Sequence, residues 1–222
     1  MLNVFSQEQK IEKILASLYV ENPSGTISVQ KEWQRKLNAV LEEQYRCESR
    51  DKFNARLDNF YLEVKNNLLT AICGEIGNNA FDHNLGDWRD ISGLYFNWQI
   101  KGFVLLVDRG VGVRKTLSKV RPNIGSDEEA LRIAFTERVS GRSPEKRGNG
   151  LKFVAKIVTE QNWDLYFQSG KGFCEISGGK INFGKTERQS ANVGSVALTT
   201  NQVFPTKRED TVFGCVVLLK YK

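Results

Sequence analysis

The sequence is poor in the residues that build zinc sites and disulfide frameworks. It has a single histidine, His83, and four cysteines, no two of which form a CxxC pair. The four are Cys47, Cys73, Cys174 and Cys215. Together with one histidine they give no zinc-binding spacing. We therefore expect reduced thiols with structural roles, as is usual for cytosolic proteins.

Long apolar runs are also missing. No stretch approaches the roughly 20 apolar residues that span a bilayer. The first five residues are followed by a polar, charged segment from Gln7 to Lys13, not by the apolar core of a secretory signal. We therefore expect a cytoplasmic protein with no membrane partner. With 222 residues, 40% of them hydrophobic, the chain is long enough to bury a core.

The charge is mildly basic and evenly spread. The formal net charge is +6, but no tract of five or more Lys or Arg occurs. A basic protein can bind nucleic acid. Because the charges are spread out, nucleic acid stays open as a partner. A mildly basic protein with a site for phosphates is favoured instead.

Helical patterns dominate the first part of the chain. Apolar spacing predicts a helical extension over residues 1–59, including a helix from Val29 to Cys47. A longer helix is predicted from about Asp51 to Asn84, with Leu62 and Leu68 on its apolar stripe. The main domain then covers residues 60–222.

Strand patterns dominate the second part. Strands 93–99 and 103–107 are predicted to form an antiparallel hairpin. Residues 113–147 are polar and predict one short helix, begun by the capping box that starts at Ser126. A helix should begin at Gly150 or Leu151 and end near Gln161. The remaining predictions are strands 163–168, 173–177, 194–199 and 212–219, with an exposed loop over 185–192.

One helical segment carries an unusual polar load. Glu75, Asn79 and His83 are spaced four residues apart, which places them on one face of a helix. Asn is a poor helix former because its side chain competes for backbone groups. A solvated polar face would explain the pattern equally well, so this segment alone decides nothing.

Two glycine-rich segments follow apolar ones. Asp108-Arg-Gly110-Val-Gly112 comes directly after an apolar strand, where glycine allows positive φ and close approach of a ligand. A dinucleotide-binding fingerprint would need glycine at position 115, which is Lys115, and no Walker A motif is present.

The second segment, Arg147-Gly148-Asn-Gly150-Leu151, opens a helix. Backbone N–H groups at a helix N-terminus bind anions, and glycine lets a phosphate come close.

The order of these segments resembles the GHKL ATPase superfamily, which includes gyrase-type topoisomerases, sensor histidine kinases and anti-sigma serine kinases. Glu75-Ile-Gly-Asn-Asn79-Ala-Phe-Asp-His83-Asn84 is similar to its N box. Asp108 to Gly112 and Gly148 to Leu151 are similar to its two glycine boxes, and Phe213-Gly-Cys-Val216 to its last glycine motif. The resemblance covers about residues 60–220. It implies an α/β two-layer sandwich, the Bergerat fold, with a mixed, mostly antiparallel sheet, helices on one face and an ATP lid over residues 113–147.

The resemblance also implies ATP and Mg²⁺ as ligands. Asn79 would coordinate Mg²⁺, and Asp108 would accept a hydrogen bond from the adenine amino group. Glu75 would act as general base. The remaining nucleotide-binding positions that it implies are His83, Gly110, Gly112, Arg147, Gly148, Gly150 and Leu151.

The resemblance leaves open which activity within the GHKL superfamily it implies. The only histidine lies inside the N box, so we do not expect a self-contained autophosphorylating histidine kinase. We expect a signalling protein that phosphorylates a partner protein or hydrolyses ATP. The alternative is a nucleotide-gated interaction module with little or no catalysis, and a nucleic-acid-associated ATPase is less favoured. The partner and any dimerisation are left open.

Overall fold

A computed structural model describes residues 42–89, 91–137, 149–186 and 212–221 of the chain. Within these ranges, a short 3₁₀ helix, Glu43–Tyr45, precedes five α-helices. These are α1 (Arg50–Val64), α2 (Asn67–Asn84), α3 (Gly112–Ser118), α4 (Asp127–Thr136) and α5 (Gly150–Glu160). The strands are β1 (Arg46–Cys47), β2 (Leu94–Asn97), β3 (Phe103–Asp108), β4 (Asp164–Gly170), β5 (Gly172–Ser177), β6 (Lys180–Lys185) and β7 (Val212–Lys220).

The strands form one sheet in the order β1-β2-β3-β7-β4-β5-β6. Every pair of neighbours among the described strands is antiparallel. The α/β two-layer fold class predicted from the sequence is therefore confirmed, and the mixed sheet expected with it is, over these strands, antiparallel throughout. The long strand β7 lies in the middle, between β3 and β4, and so brings Cys215 beside Asp108.

The helices pack on one face of this sheet. Phe53 and Phe60 of α1 and Ile72 of α2 meet Phe96 and Val217 of the strands in one buried cluster. Phe53 and Phe60 contact Phe96 edge to face, with ring centroids 5.6 and 5.5 Å away. Burying an aromatic or aliphatic side chain of this kind contributes roughly 1.5–3 kcal/mol. This cluster holds α2, which carries the polar face described above, against the sheet.

The opposite face of the sheet is equally apolar. Leu105, Tyr166 and Leu218 are buried there in a second cluster. Among the described residues, none of this cluster belongs to a helix. The expectation of helices on one face therefore holds for the described part of the chain, and residues 1–41 of the predicted extension lie outside it.

The long helix predicted over residues 51–84 is wrong, because the chain breaks into α1 and α2. Lys65 adopts a left-handed conformation with φ of 53°, which ends α1. The Asn66 side chain then accepts a hydrogen bond from the Leu69 N–H and caps α2. An N-cap of this type satisfies a backbone donor that the helix itself leaves free. Leu62, placed on the apolar stripe, is 66% exposed.

The prediction of a helix up to Cys47 is also wrong at its described end. Arg46 and Cys47 form β1 and pair with Tyr95 and Leu94 of β2. The predicted boundary at residue 59 falls inside α1, whose aromatic side chains belong to the main core.

Residues 113–137 contain two helices where one was predicted. Leu117 of α3 packs with Ala130 and Ile133 of α4, and Phe135 reaches the main core. The N-cap predicted at Ser126 is confirmed, since its hydroxyl accepts from the Glu129 N–H at 3.0 Å. The Glu129 carboxylate, however, accepts from the Gly125 N–H and not from that of Ser126. Of the lid predicted over 113–147, only this packed part lies within the described residues.

The remaining predictions are mostly confirmed. The hairpin forms as β2 and β3, the helix from Gly150 as α5, and the strands near 163–168, 173–177 and 212–219 as β4, β5 and β7. The strand over 194–199 and most of the loop over 185–192 lie outside the described residues. Strand β6 was not predicted, and Lys185 ends it. Within the described part of the chain, no helix has the length and apolarity to cross a membrane.

Candidate functional site

A cavity of about 600 Å³ lies between the helix layer and the sheet. Among the residues that line it are most of the positions predicted from the sequence: Glu75, Asn79, His83, Asp108, Gly112, Gly150 and Leu151. Three separate segments of the chain therefore meet at one site. Of the other predicted positions, Gly110 does not line the cavity, and Arg147 and Gly148 lie outside the described residues.

Helix α2 forms one wall of the cavity with its polar face. Glu75 is exposed, and Asn79 and His83 are half-buried, so all three are accessible to a ligand. On the other side of the helix, Leu69, Ile72 and Cys73 are fully buried in the core. The apolar side fixes the helix in place, and the polar side can therefore present its groups at fixed positions.

Asp108 lies at one end of the cavity, at the last residue of β3, and is only 6% exposed. Its Oδ1 accepts hydrogen bonds from the Gly110 N–H at 2.9 Å and from Asn84 Nδ2 at 3.0 Å. Burial raises the pKa of Asp108 to about 6, although the hydrogen bonds it accepts act in the opposite direction. The Cys215 thiol and backbone N–H also donate to it. A buried carboxyl in a cavity wall, fixed by such donors, is suited to accepting an N–H from a ligand.

The loop after Asp108 is held through Ser169. Gly112 adopts φ of 79°, a conformation that favours glycine. Ser169 on β4 accepts a hydrogen bond from the Val113 N–H at 2.9 Å and donates one to the Gly214 carbonyl at 3.1 Å. The positive φ predicted for this segment is thus found at Gly112, and the loop is tied to both β4 and β7.

The start of α5 forms the other end of the cavity. A Cβ added to Gly150 would lie 2.6 Å from Glu75 Oε2 and 3.7 Å from Asn79 Nδ2. The absence of a side chain there lets the first turn of α5 approach α2 closely. Free N–H groups at a helix N-terminus attract anions. This end can therefore bind a phosphate, with a carboxylate and an amide beside it.

The two ends are separated along α2. Glu75 is nine residues before Asn84, the partner of Asp108, which corresponds to roughly 13 Å at about 1.5 Å per residue. The cavity thus offers an acceptor for N–H groups at one end and an anion site at the other. A ligand with a nitrogenous base joined to phosphates matches that arrangement.

Some lining residues were not predicted from the sequence. Arg50 of α1 reaches the cavity and donates to Asn78 Oδ1 at 3.1 Å, and it forms an ion pair with Asp82. Arg50 is far in the sequence from the motifs that line the cavity, so no local pattern predicts this role. Asn149 and Phe153 also line the cavity from α5 and the residue before it.

Cys215 lies opposite Asp108 in the β3–β7 register and lines the cavity. Burial and the neighbouring Asp108 carboxylate raise the pKa of its thiol well above the ordinary value. The thiol is therefore neutral at physiological pH and serves as a hydrogen-bond donor to Asp108.

Comparison of the chain with protein-family models, with curated proteins and with solved structures finds no match. Any functional assignment therefore depends on the residues of the cavity and on their geometry.

Proposed function

We propose that the protein binds ATP together with Mg²⁺ in this cavity and transfers the terminal phosphoryl group to water or to a partner protein. The observation that carries the proposal is that Asp108, Asn79 and Glu75 line one cavity whose far end is the N-terminus of α5. The resemblance of the sequence to the GHKL ATPases assigns the same positions to ATP.

The base would bind at Asp108. An ionised carboxylate accepts a hydrogen bond from the adenine amino group, whereas guanine presents a carbonyl at the corresponding position. Apolar side chains of the sheet, among them Leu106 and Val217, line the cavity on that side. Ligand sites commonly combine such apolar walls with a few polar groups that fix orientation.

The phosphates would bind at the start of α5. The backbone N–H groups of Gly150 and Leu151 are in the first turn, where no residue of the helix accepts from them. Arg50 adds a positive charge to the lining, although Asp82 partly neutralises it. Arg147 and Gly148, predicted for the same task, precede this turn in the sequence.

The donor set fits Mg²⁺. An amide oxygen from Asn79 is a hard ligand, and Mg²⁺ in proteins usually takes one or two such ligands and completes its shell with phosphates and water. In the described part of the chain no three His, Cys, Asp or Glu side chains lie together. Mg²⁺, when bound, would neutralise part of the phosphate charge.

Glu75 would act as the general base. Its carboxylate is exposed in the cavity beside Gly150 and can accept the proton of an attacking hydroxyl. The new O–P bond forms at the γ-phosphorus, the bond to the bridging oxygen breaks, and ADP leaves. Phosphoryl transfer needs little more from the protein than positioning and charge stabilisation.

The test is nucleotide binding with and without Mg²⁺, measured by isothermal titration calorimetry. Wild-type protein should bind ATP, and Mg²⁺ should raise the affinity at least tenfold. Asn79→Ala should remove most of that Mg²⁺ dependence while leaving Mg²⁺-free binding within about threefold, because only the metal ligand is lost.

Asn59→Ala is the matched control, since Asn59 is exposed on α1 and does not line the cavity. It should behave as wild type. Wild-type protein that binds no adenine nucleotide at millimolar concentration would refute the proposed function. Asn79→Ala with unchanged Mg²⁺ dependence would refute only the metal assignment.

A further inference from the structure

Asn84, the last residue of α2, joins three parts of the site. Its side chain is 3% exposed. Its Nδ2 donates to Asp108 Oδ1 at 3.0 Å, and its Oδ1 accepts from the Val111 N–H at 2.8 Å. One buried amide therefore connects the end of α2, the end of β3 and the loop that follows β3.

The loop is packed directly on this amide. A Cβ added to Gly110 would lie 1.8 Å from Asn84 Cγ, so that a side chain at position 110 would displace Asn84. The Gly110 N–H donates to the same Asp108 Oδ1. The orientation of the amide is fixed, because its oxygen meets an N–H and its nitrogen meets a carboxylate.

The Cys215 thiol and the Cys215 backbone N–H also donate to the Asp108 carboxyl, so Asn84 is one of four donors that hold it in its ionised form. We infer that Asn84 is a positioning residue that fixes the orientation of the Asp108 carboxyl and keeps it an acceptor, so that the site selects a purine with an amino group at C6 over one with a carbonyl. This inference rests on the proposed function. It extends that function to a residue that the base itself need not touch.

The physical reason is the protonation state of Asp108. An ionised carboxylate can only accept hydrogen bonds, whereas a protonated carboxyl can also donate to a carbonyl. The N–H donated by Asn84 favours the ionised form and so opposes the effect of burial, which raises the pKa of Asp108. Without that donor, more of the protein carries a neutral Asp108 near pH 7, and the preference for a 6-amino over a 6-oxo purine falls.

Other titratable groups share this environment. The charged or titratable side chains that line the cavity besides Asp108 are Arg50, Glu75, Asp82, His83 and Cys215. Cys215 contacts Asp108 itself, and burial keeps its thiol neutral. A variant at Asn84 changes none of these groups, which makes it a clean perturbation of Asp108.

The experiment compares ATP with inosine triphosphate, which carries a carbonyl in place of the C6 amino group. The dissociation constants of both, with Mg²⁺, are measured from pH 5.5 to pH 8 for wild type and Asn84→Ala. Wild type should prefer ATP at pH 7.5. Asn84→Ala should bind ATP at least tenfold more weakly and inosine triphosphate about as well as wild type, and the pH midpoint of ATP binding should move upward.

Asn97→Ala is the matched control. Asn97 is 4% exposed and bridges the Tyr95 hydroxyl and the Gln99 N–H in the same way, but it does not line the cavity. Its variant should leave the selectivity and the pH midpoint unchanged. Thermal unfolding checks that each variant is folded.

Asn84→Asp provides a second measurement if the alanine variant does not fold. It keeps the size of the side chain and the acceptor for Val111, replaces the donor to Asp108 by a second carboxyl, and so raises the pKa of the Asp108 site further. Selectivity should therefore fall in the same direction. Equal losses for both nucleotides with an unchanged pH midpoint would show a purely structural role and overturn the inference. Wild type that binds neither nucleotide would instead overturn the proposed function itself.

Discussion

Asp108→Asn is expected to stabilise the nucleotide-free protein at pH 7. The pKa of Asp108 is raised by burial to about 6 from an ordinary 3.8, so the folded state disfavours the ionised form. A group whose pKa is raised on folding contributes to the stability of the folded state below its unfolded pKa. This contribution is lost as the pH rises through the folded pKa. At about 1.36 kcal/mol per pKa unit, the cost at pH 7 is on the order of 3 kcal/mol.

Asparagine keeps the shape of the side chain without the charge. Its Oδ1 can accept the same hydrogen bonds from Gly110 and Asn84. A Cys215 donor that loses its acceptor in the variant lowers the gain below the full value of about 3 kcal/mol, which corresponds to about 1.36 kcal/mol per pKa unit. The free energy of unfolding, measured by urea titration, should therefore rise by about 1–3 kcal/mol at pH 7. The difference from wild type should shrink as the pH falls from about 6 toward 4, because Asp108 becomes protonated in the folded state while the unfolded state, with its pKa of 3.8, is still largely ionised at the upper end of that range.

The same substitution should abolish nucleotide binding. With Oδ1 held by the donors of Gly110 and Asn84, the new NH₂ group would face the adenine amino group. Two N–H donors would then face each other in a buried site. An unpaired buried polar group costs about 1–3 kcal/mol, and the lost charge-assisted bond adds to this. We expect the affinity for Mg²⁺-ATP to fall at least 100-fold in calorimetric titration.

Asp164→Asn is the control for both measurements. Asp164 accepts from the Ser177 hydroxyl at 2.8 Å on β4 and does not line the cavity. It should change neither the stability difference between pH 7 and pH 4 nor the affinity for ATP. An Asp108→Asn protein that binds ATP as wild type does would remove Asp108 from the site, and an unchanged stability at pH 7 would contradict the raised pKa.

The elements that depend only on interactions between residues close in the sequence could be predicted. The Ser126 N-cap, the glycines that begin α5 and the alternation of β2 and β3 each act within a few residues. The break between α1 and α2 was missed for a similar reason. Apolar spacing continues through Lys65 and Asn66 in the sequence, but Leu62 and Leu68 on either side of the break are exposed in the fold.

Features that depend on distant segments could not be predicted. Strand β6 presents mostly exposed residues at the edge of the sheet, so it has no buried alternation to reveal it. Asn84 has the sequence context of a helix end, and only the approach of Gly110, in the loop after β3, makes it a buried bridge. The candidate site was predicted as three motifs, while the contacts that hold them together come from the tertiary fold.

Glu75→Gln is expected to reduce turnover of ATP at least 100-fold without weakening ATP binding. Glutamine fills the same space beside Gly150 but cannot accept a proton from an attacking hydroxyl. General base catalysis typically contributes about 10²–10⁴-fold. Removing a negative charge next to the phosphates should leave the dissociation constant for Mg²⁺-ATP equal to that of wild type or lower it. Turnover is measured as phosphate release, and as transfer of labelled phosphate to candidate partner proteins.

Glu63→Gln separates this effect from the mere loss of a carboxylate. Glu63 accepts a hydrogen bond from Trp98 Nε1 at 2.7 Å on α1 and does not line the cavity, so its variant should turn over ATP as wild type does. If Glu75→Gln binds ATP and matches the wild-type rate, then Glu75 is not the base. If wild type binds ATP but shows no turnover above the Glu75→Gln variant with any partner, catalysis is absent. The nucleotide-gated interaction module then becomes the better account, because binding at Asp108 does not depend on the chemistry at Glu75.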